Sequence, residues 1–150
     1  MRKIMALCVA VVASLSFASG LLADDAVDAV KQVVERSYVN GAFNALDPDA
    51  MEAGFHPDFA IFSPDGDQIS KYPIGAWVSS TRETKESADF DPSTNVWDHK
   101  FASVDVTGHA AAVKVELSKD GKHVYTDYLS LLNFDGTWRI VAKVYYRHPD

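Results

Sequence analysis

The sequence predicts an α+β domain in which helices gather on one side of a curved antiparallel sheet. Helical periodicity is confined to the first half of the chain, where Val27, Val30, Val34 and Tyr38 recur at three- and four-residue spacing. The second half alternates apolar and polar residues in four runs. These are separated by Thr107-Gly108, Asp120-Gly121 and Asp135-Gly136, the kind of short sequence that links hairpin strands. A chain of 150 residues that is 47% hydrophobic suffices for one core and one domain, and no repeat or low-complexity tract divides it. Helices first and a meander last is the α+β pattern.

At the N-terminus Arg2 and Lys3 precede an apolar run over 4–15, followed by Ser16, Ala18, Ser19, Gly20 and Ala23. That order predicts a secretory signal peptide over 1–23, cleaved after Ala23 or Gly20, and a periplasmic or secreted domain over 24–150. A membrane anchor needs about 20 apolar residues, and Ser14, Ser16, Ser19 and Gly20 interrupt this run. The lone cysteine, Cys8, falls in the segment to be removed, and Leu7 before it is too large for a lipid-modification site, so packing alone must hold the mature chain. Loss of Arg2 and Lys3 leaves 12 basic against 21 acidic residues, a formal charge of −9. An acidic chain without a Lys/Arg cluster is a poor binder of nucleic acid or anionic membrane.

The first helix is expected over 26–40, with Asp24, Asp25 and Asp28 complementing its dipole. Asp47-Pro48 is an N-cap and first-turn pair, which predicts a short helix over 48–54. His56-Pro57-Asp58 turns into a strand over 59–63, and Pro64-Asp65-Gly66-Asp67 returns the chain through a brief strand over 68–70. Pro73 opens a third helix with Ile74, Trp77, Val78 and Thr81 on one side, ending in a polar loop over 82–93. Strands follow over 94–106, 110–118, 123–133 and 137–147.

Register decides which side chains share a face. A two-residue Asp120-Gly121 turn sets Lys114 opposite Asp127, and a three-residue Phe134-Asp135-Gly136 loop sets Asp127 opposite Lys143. Lys114, Asp127 and Lys143 then form a row beside Tyr125, Leu129, Leu131, Val141 and Tyr145. The other face carries Val113, Val115, Tyr128, Leu132, Trp138, Ile140, Ala142 and Val144. Both faces are too apolar for water, so one is expected under the helices and the other against a second copy of the chain.

Several stretches are similar to the lumazine-binding-like family of the nuclear-transport-factor-two-like superfamily. They are Tyr38-Val39 with Asn44-Ala45-Leu46-Asp47, Phe55-His56-Pro57-Asp58, Asp127-Tyr128-Leu129-Ser130-Leu131-Leu132, and the run from Asp135-Gly136-Thr137-Trp138 to Lys143. The resemblance covers the mature chain and implies a cone-shaped, cystatin-like fold holding a cavity. It also implies a comparison with the ketosteroid isomerases and SnoaL-like enzymes of the superfamily. By that similarity Tyr38 matches the isomerase tyrosine and Asp127 its late-strand aspartate, a residue kept neutral in those enzymes. The base position falls near Ser63-Pro64, which lacks a carboxylate, and Lys143 stands where the SnoaL-like pattern has an acid. The resemblance assigns the aspartate's face to the cavity and turns Trp138, Ile140 and Val144 toward a partner subunit.

The expected pocket residues are Tyr38, Trp77, Lys114, Asp127, Leu129 and Lys143, with His56, His99 and Tyr145 as weaker candidates. Each has a plainer reading. Tyr38 is either a ligand donor or a core tyrosine, and Trp77, with Tyr72 nearby, is an aromatic wall or plain core. Lysines beside Asp127 would hold it ionised, either as a structural ion cluster or as a charged floor with one lysine to spare. His56 before Pro57 reads as a loop-fixing residue. The five histidines lack metal-ligand spacing, and there is no nucleophile elbow or phosphate-cradling glycine loop. The expectation is an exported, dimeric binder of a small, partly apolar ligand, without cofactor or metal. The alternatives are an isomerase, dehydratase or cyclase using the same pocket, and a non-catalytic dimeric interaction domain.

Overall fold

The computed structural model describes residues 14–149. Most of the expected signal segment, with Cys8, lies outside them. Helix α1 (Ser14–Val33) runs directly into a π-helical segment, Val34–Asn44, and then come α2 (Pro48–Gly54) and α3 (Ile74–Glu86). Strands β1 (Phe55–Asp65) and β2 (Gln68–Pro73) lie between α2 and α3. Strands β3 (Asp98–Thr107), β4 (Ala110–Lys119), β5 (Lys122–Phe134) and β6 (Thr137–Arg147) complete the chain. No helix among the described residues is long and apolar enough to cross a membrane.

The α+β class holds, but the cone does not. The six strands form one open sheet, in the order β2-β1-β6-β5-β4-β3, neither closed nor strongly curled. Nor is it wholly antiparallel, because β1 runs parallel to β6. Closure is unnecessary for burial here: the helices cover one face, and that face alone holds the core. Val30, Val34 and Tyr38 pack over Val113, Val115, Leu117, Leu129, Leu131, Trp138 and Ile140, all buried. Each such aliphatic side chain contributes about 1.5–3 kcal/mol through removal from water.

Local chemistry explains the element boundaries. Asp47 Oδ1 accepts the backbone N–H groups of Asp49 (3.1 Å) and Ala50 (3.2 Å), and Pro48 follows as the first helical residue of α2. Gly54 ends α2 against the π segment, where a Cβ would lie 2.0 Å from Ser37 Oγ. The last two hairpins turn on Asp120-Gly121 and Asp135-Gly136, all four residues having positive φ, as tight two-residue turns require.

Two bulges correct the expected register. The Asp120-Gly121 turn pairs Lys119 with Lys122 as predicted, but β5 carries an extra residue, Val124, before Tyr125 pairs with Leu117. Val115 therefore faces Asp127, and Lys114 pairs with Tyr128 on the opposite surface. The Asp135-Gly136 turn has two residues rather than three, pairing Phe134 with Thr137. Val141 is then the extra residue on β6, so that Ile140 meets Leu131 while Lys143 meets Leu129. This second slip restores Lys143 to the face of Asp127. The two-residue turn itself brings Trp138 and Ile140 into the core (6% and 0% exposed) instead of toward a partner, and only Val144 of that expected trio is exposed.

Candidate functional site

Three polar side chains meet beneath the helices. Tyr38, on the π segment, donates its hydroxyl to Asp127 Oδ2 on β5 at 2.7 Å. Lys143, on β6, donates from Nζ to Tyr38 Oη at 2.6 Å. Lys143 Nζ also lies 3.0 Å from Asp127 Oδ1, close enough for an ion pair. It sits off the hydrogen-bonding direction, however, so Oδ1 is a buried acceptor without a hydrogen bond. Asp127 and Lys143 are 0% and 4% exposed. A buried charge of either sign is costly alone, and each offsets the other here.

Aromatic rings surround the ammonium. The centroids of Tyr145, Tyr38, Phe43, Trp77 and Tyr125 stand 4.8, 5.0, 5.6, 5.6 and 5.8 Å from Nζ, within the range of cation–π attraction. Burial still lowers the Lys143 pKa against the opposing pull of the nearby Asp127 carboxylate. Burial raises the Tyr38 pKa well above the ordinary tyrosine value, and the charge and hydrogen bond of Asp127 push the same way. Tyr38 is thus held as a neutral donor.

The π segment creates this geometry. Residues five apart point about 140° away from each other in an α-helix, whereas the widened i→i+5 turn returns them to one side. Tyr38 and Phe43 stack edge-to-face with centroids 5.2 Å apart. The end of the segment is tied to the approach to β3. Asn44 accepts from Trp97 N (2.6 Å) and donates to Trp97 O (3.2 Å), and Asn95 donates to Phe43 O and Asn44 O.

Above Nζ lies a cavity of about 230 Å³ lined by Ala42, Phe43, Ile61, Trp77, Tyr125, Lys143 and Tyr145. Lys143 is the one charged residue among them. Larger grooves exist, including one of about 670 Å³ between Trp97, Lys119 and Arg147. The smaller cavity is the better candidate because Lys143, to which Tyr38 and Asp127 are joined, lines it.

Of the expected pocket residues, Lys143, Trp77 and Tyr145 line this cavity, while Tyr38 and Asp127 do not line it but contact Lys143. Lys114 does not: it lies on the other surface, with Nζ 5.7 Å from the Tyr128 ring, because of the Val124 bulge. Leu129 shares the face but packs in the core. Of the weaker candidates, His56 stacks on Phe134 at 4.9 Å, and its Nδ1 accepts from Asp58 N, which fixes the turn. His99 sits 3.5 Å from Glu35 Oε1, linking β3 to the helices away from the cavity. Tyr72 is at the sheet edge and donates to Ala76 O. Phe43, Ala42 and Ile61 were not foreseen. Ile61 was legible in the alternation of β1, but α-helical spacing turns Phe43 away from Tyr38. Among the described residues no group of three or more His, Cys, Asp or Glu is placed to hold a metal ion.

Comparison with known proteins places the chain in the nuclear-transport-factor-two-like superfamily. The family described as "Putative lumazine-binding" matches residues 25–146, so the chain belongs to that family. A solved nuclear-transport-factor-two-like protein of unknown function from Shewanella baltica is 26% identical, covering 85% of this chain and 97% of its own, with a TM-score of 0.67. Another, from Silicibacter pomeroyi, is 25% identical over 83% of this chain and 98% of its own, with a TM-score of 0.65. Among curated proteins the chain is similar to an aldolase, FrzH, from Cladobotryum sp., at 26% identity over 97 residues, 64% of this chain and 72% of that protein.

Proposed function

We propose that the chain binds a small, partly apolar molecule bearing a carbonyl or carboxylate oxygen, in the cavity above Lys143. The observation that carries this reading is a single buried ammonium among aromatic walls. Lys143 has three N–H donors; one goes to Tyr38 Oη and a second faces Asp127. The third is left for an acceptor atom in the cavity, where low polarity strengthens the bond. Phe43, Trp77 and Tyr125 supply the apolar walls that ligand sites use. At about 230 Å³ the cavity is smaller than the ~300–1,000 Å³ typical for drug-sized ligands, which favours a single ring or short chain over an enclosed flavin. The test is titration of tryptophan fluorescence with benzoate, benzaldehyde, lumazine and riboflavin, using Trp77→Phe to assign the signal. Saturable quenching by the one-ring compounds supports the reading, and no quenching by any of the four overturns it.

Catalysis is the second reading, favoured by the similarity to an aldolase and by the lowered Lys143 pKa. An isomerase of the resemblance's kind is less well supported. Its base position near Ser63-Pro64 stays without a carboxylate, Asp65 and Asp67 are exposed at the end of β1 and in the turn after it, and Asp127 is paired with a cation.

Two further proposals concern where the protein works. We propose that residues 1–23 direct export and are removed, to be checked by N-terminal sequencing of protein recovered from the periplasm or medium. We also propose that the uncovered sheet face, with Tyr128, Val144 and Tyr146 about half exposed, pairs with a second copy.

A further inference from the structure

We propose that Lys143 is an amine nucleophile that condenses with an aldehyde or ketone in the cavity to form an imine, with Asp127 as proton acceptor and Tyr38 as the hydroxyl that relays a proton. This rests on the binding reading above and narrows its ligand class to reactive carbonyls.

Three features of the site fit the chemistry. Nζ lies at the floor of the cavity, where a carbonyl carbon can approach it. Asp127 Oδ1 is 3.0 Å away and holds no hydrogen bond, so it has capacity for a proton from the ammonium. Tyr38 Oη contacts both partners and stays protonated because its pKa is raised. Desolvation of a lysine in an apolar pocket is a recognised way to activate it for Schiff-base formation, and burial lowers the Lys143 pKa in that direction.

The step balances without an oxidant or a metal. One ammonium proton moves to Asp127 Oδ1, leaving a neutral amine. Its lone pair forms the C–N bond as the carbonyl π pair moves to oxygen, which takes the proton from Asp127. The resulting carbinolamine nitrogen gives a second proton to Asp127. That proton passes through Tyr38 to the departing oxygen, the C–O bond breaks and water leaves. The product is an iminium ion beside the Asp127 carboxylate, so the charge pair is regenerated. The net change is ammonium plus carbonyl to iminium plus water.

The experiment treats the intact protein with benzaldehyde and cyanoborohydride at neutral pH, followed by peptide mapping, with tryptophan quenching by benzaldehyde and benzoate measured in parallel. The inference expects one benzyl group per chain on Lys143, formed on the order of tenfold faster than on any other lysine. Labelling should be blocked by excess benzoate and lost when the chain is unfolded in urea. Tyr38→Phe should slow it by roughly tenfold through loss of the hydroxyl. Lys143→Arg, which keeps a cation beside Asp127 but has no amine to condense, should abolish it. Saturable quenching with modification scattered over other lysines and Lys143 untouched overturns the imine and leaves the binding reading standing. Absence of quenching by both probes overturns the reading beneath it.

Discussion

Asp127 and Lys143 are stable in the core because each removes the other's penalty, and single substitutions should show this. Lys143→Met leaves a lone carboxylate in the core and should cost about 3–5 kcal/mol by urea denaturation. Adding Asp127→Leu should recover most of that loss, less about 1–3 kcal/mol for the orphaned Tyr38 hydroxyl. A pH dependence follows from the lowered Lys143 pKa. Between that lowered value and the ordinary lysine value near about 10.4, the unfolded chain binds the extra proton, so folding stability rises with pH. Tyr38 acts oppositely: its raised pKa keeps the folded state protonated above about pH 10, where stability falls with pH. The groups facing Nζ are Asp127, Tyr38, Tyr125 and Tyr145. The stability of the wild type relative to Lys143→Met should therefore increase as the pH rises toward the ordinary lysine value near about 10.4, and a flat difference would contradict the assigned direction. At this scale the sequence was informative: Tyr38, Asp127 and Lys143 stood out as polar residues in apolar periodic runs. Lys114 misled because the same alternation served for both lysines.

Elements hold these residues in place through close contacts that tolerate little change. Gly54→Ala would put a Cβ 2.0 Å from Ser37 Oγ and 2.3 Å from Ser37 Cβ. Because backbones would have to separate, a loss of at least about 1–3 kcal/mol is expected, measured by chemical denaturation. Ser37→Ala should not rescue it, since the Cβ clash remains, whereas Ser37→Gly should. Helix caps, turn glycines and strand identities could be read from the sequence because their causes are local. The π segment and the bulges at Val124 and Val141 could not. A bulge is set by how two strands meet, and no residue at either position differs from its neighbours in kind. Each bulge displaced the register by one residue: the Val124 bulge moved Lys114 out of the site, and the Val141 bulge returned Lys143 to it after the shorter turn had carried Trp138 into the core.

For the molecule as a whole, the sheet is roofed on one face and bare on the other. If a second copy covers the bare face, Val144→Glu should yield monomers in sedimentation without lowering the melting temperature, because residue 144 is half exposed in the single chain. A wild type that is already monomeric at micromolar concentration would end that proposal. The expected cone was borrowed from the resemblance. Its replacement by an open mixed sheet rests on β1 joining β6, a pairing between distant parts of the chain that no local pattern announces.

That pairing also orders events in time. The last strand to be made lies inside the sheet, between β5 and the much earlier β1, and it carries the lysine. Until β6 is available, β1 and β2 form only a hairpin with nothing to dock on, and Asp127 has no counter-charge. Contacts of such long sequence separation slow folding, so a nascent polypeptide stays pliable until β6 has been made. The lysine floor and the completed sheet then come into being together.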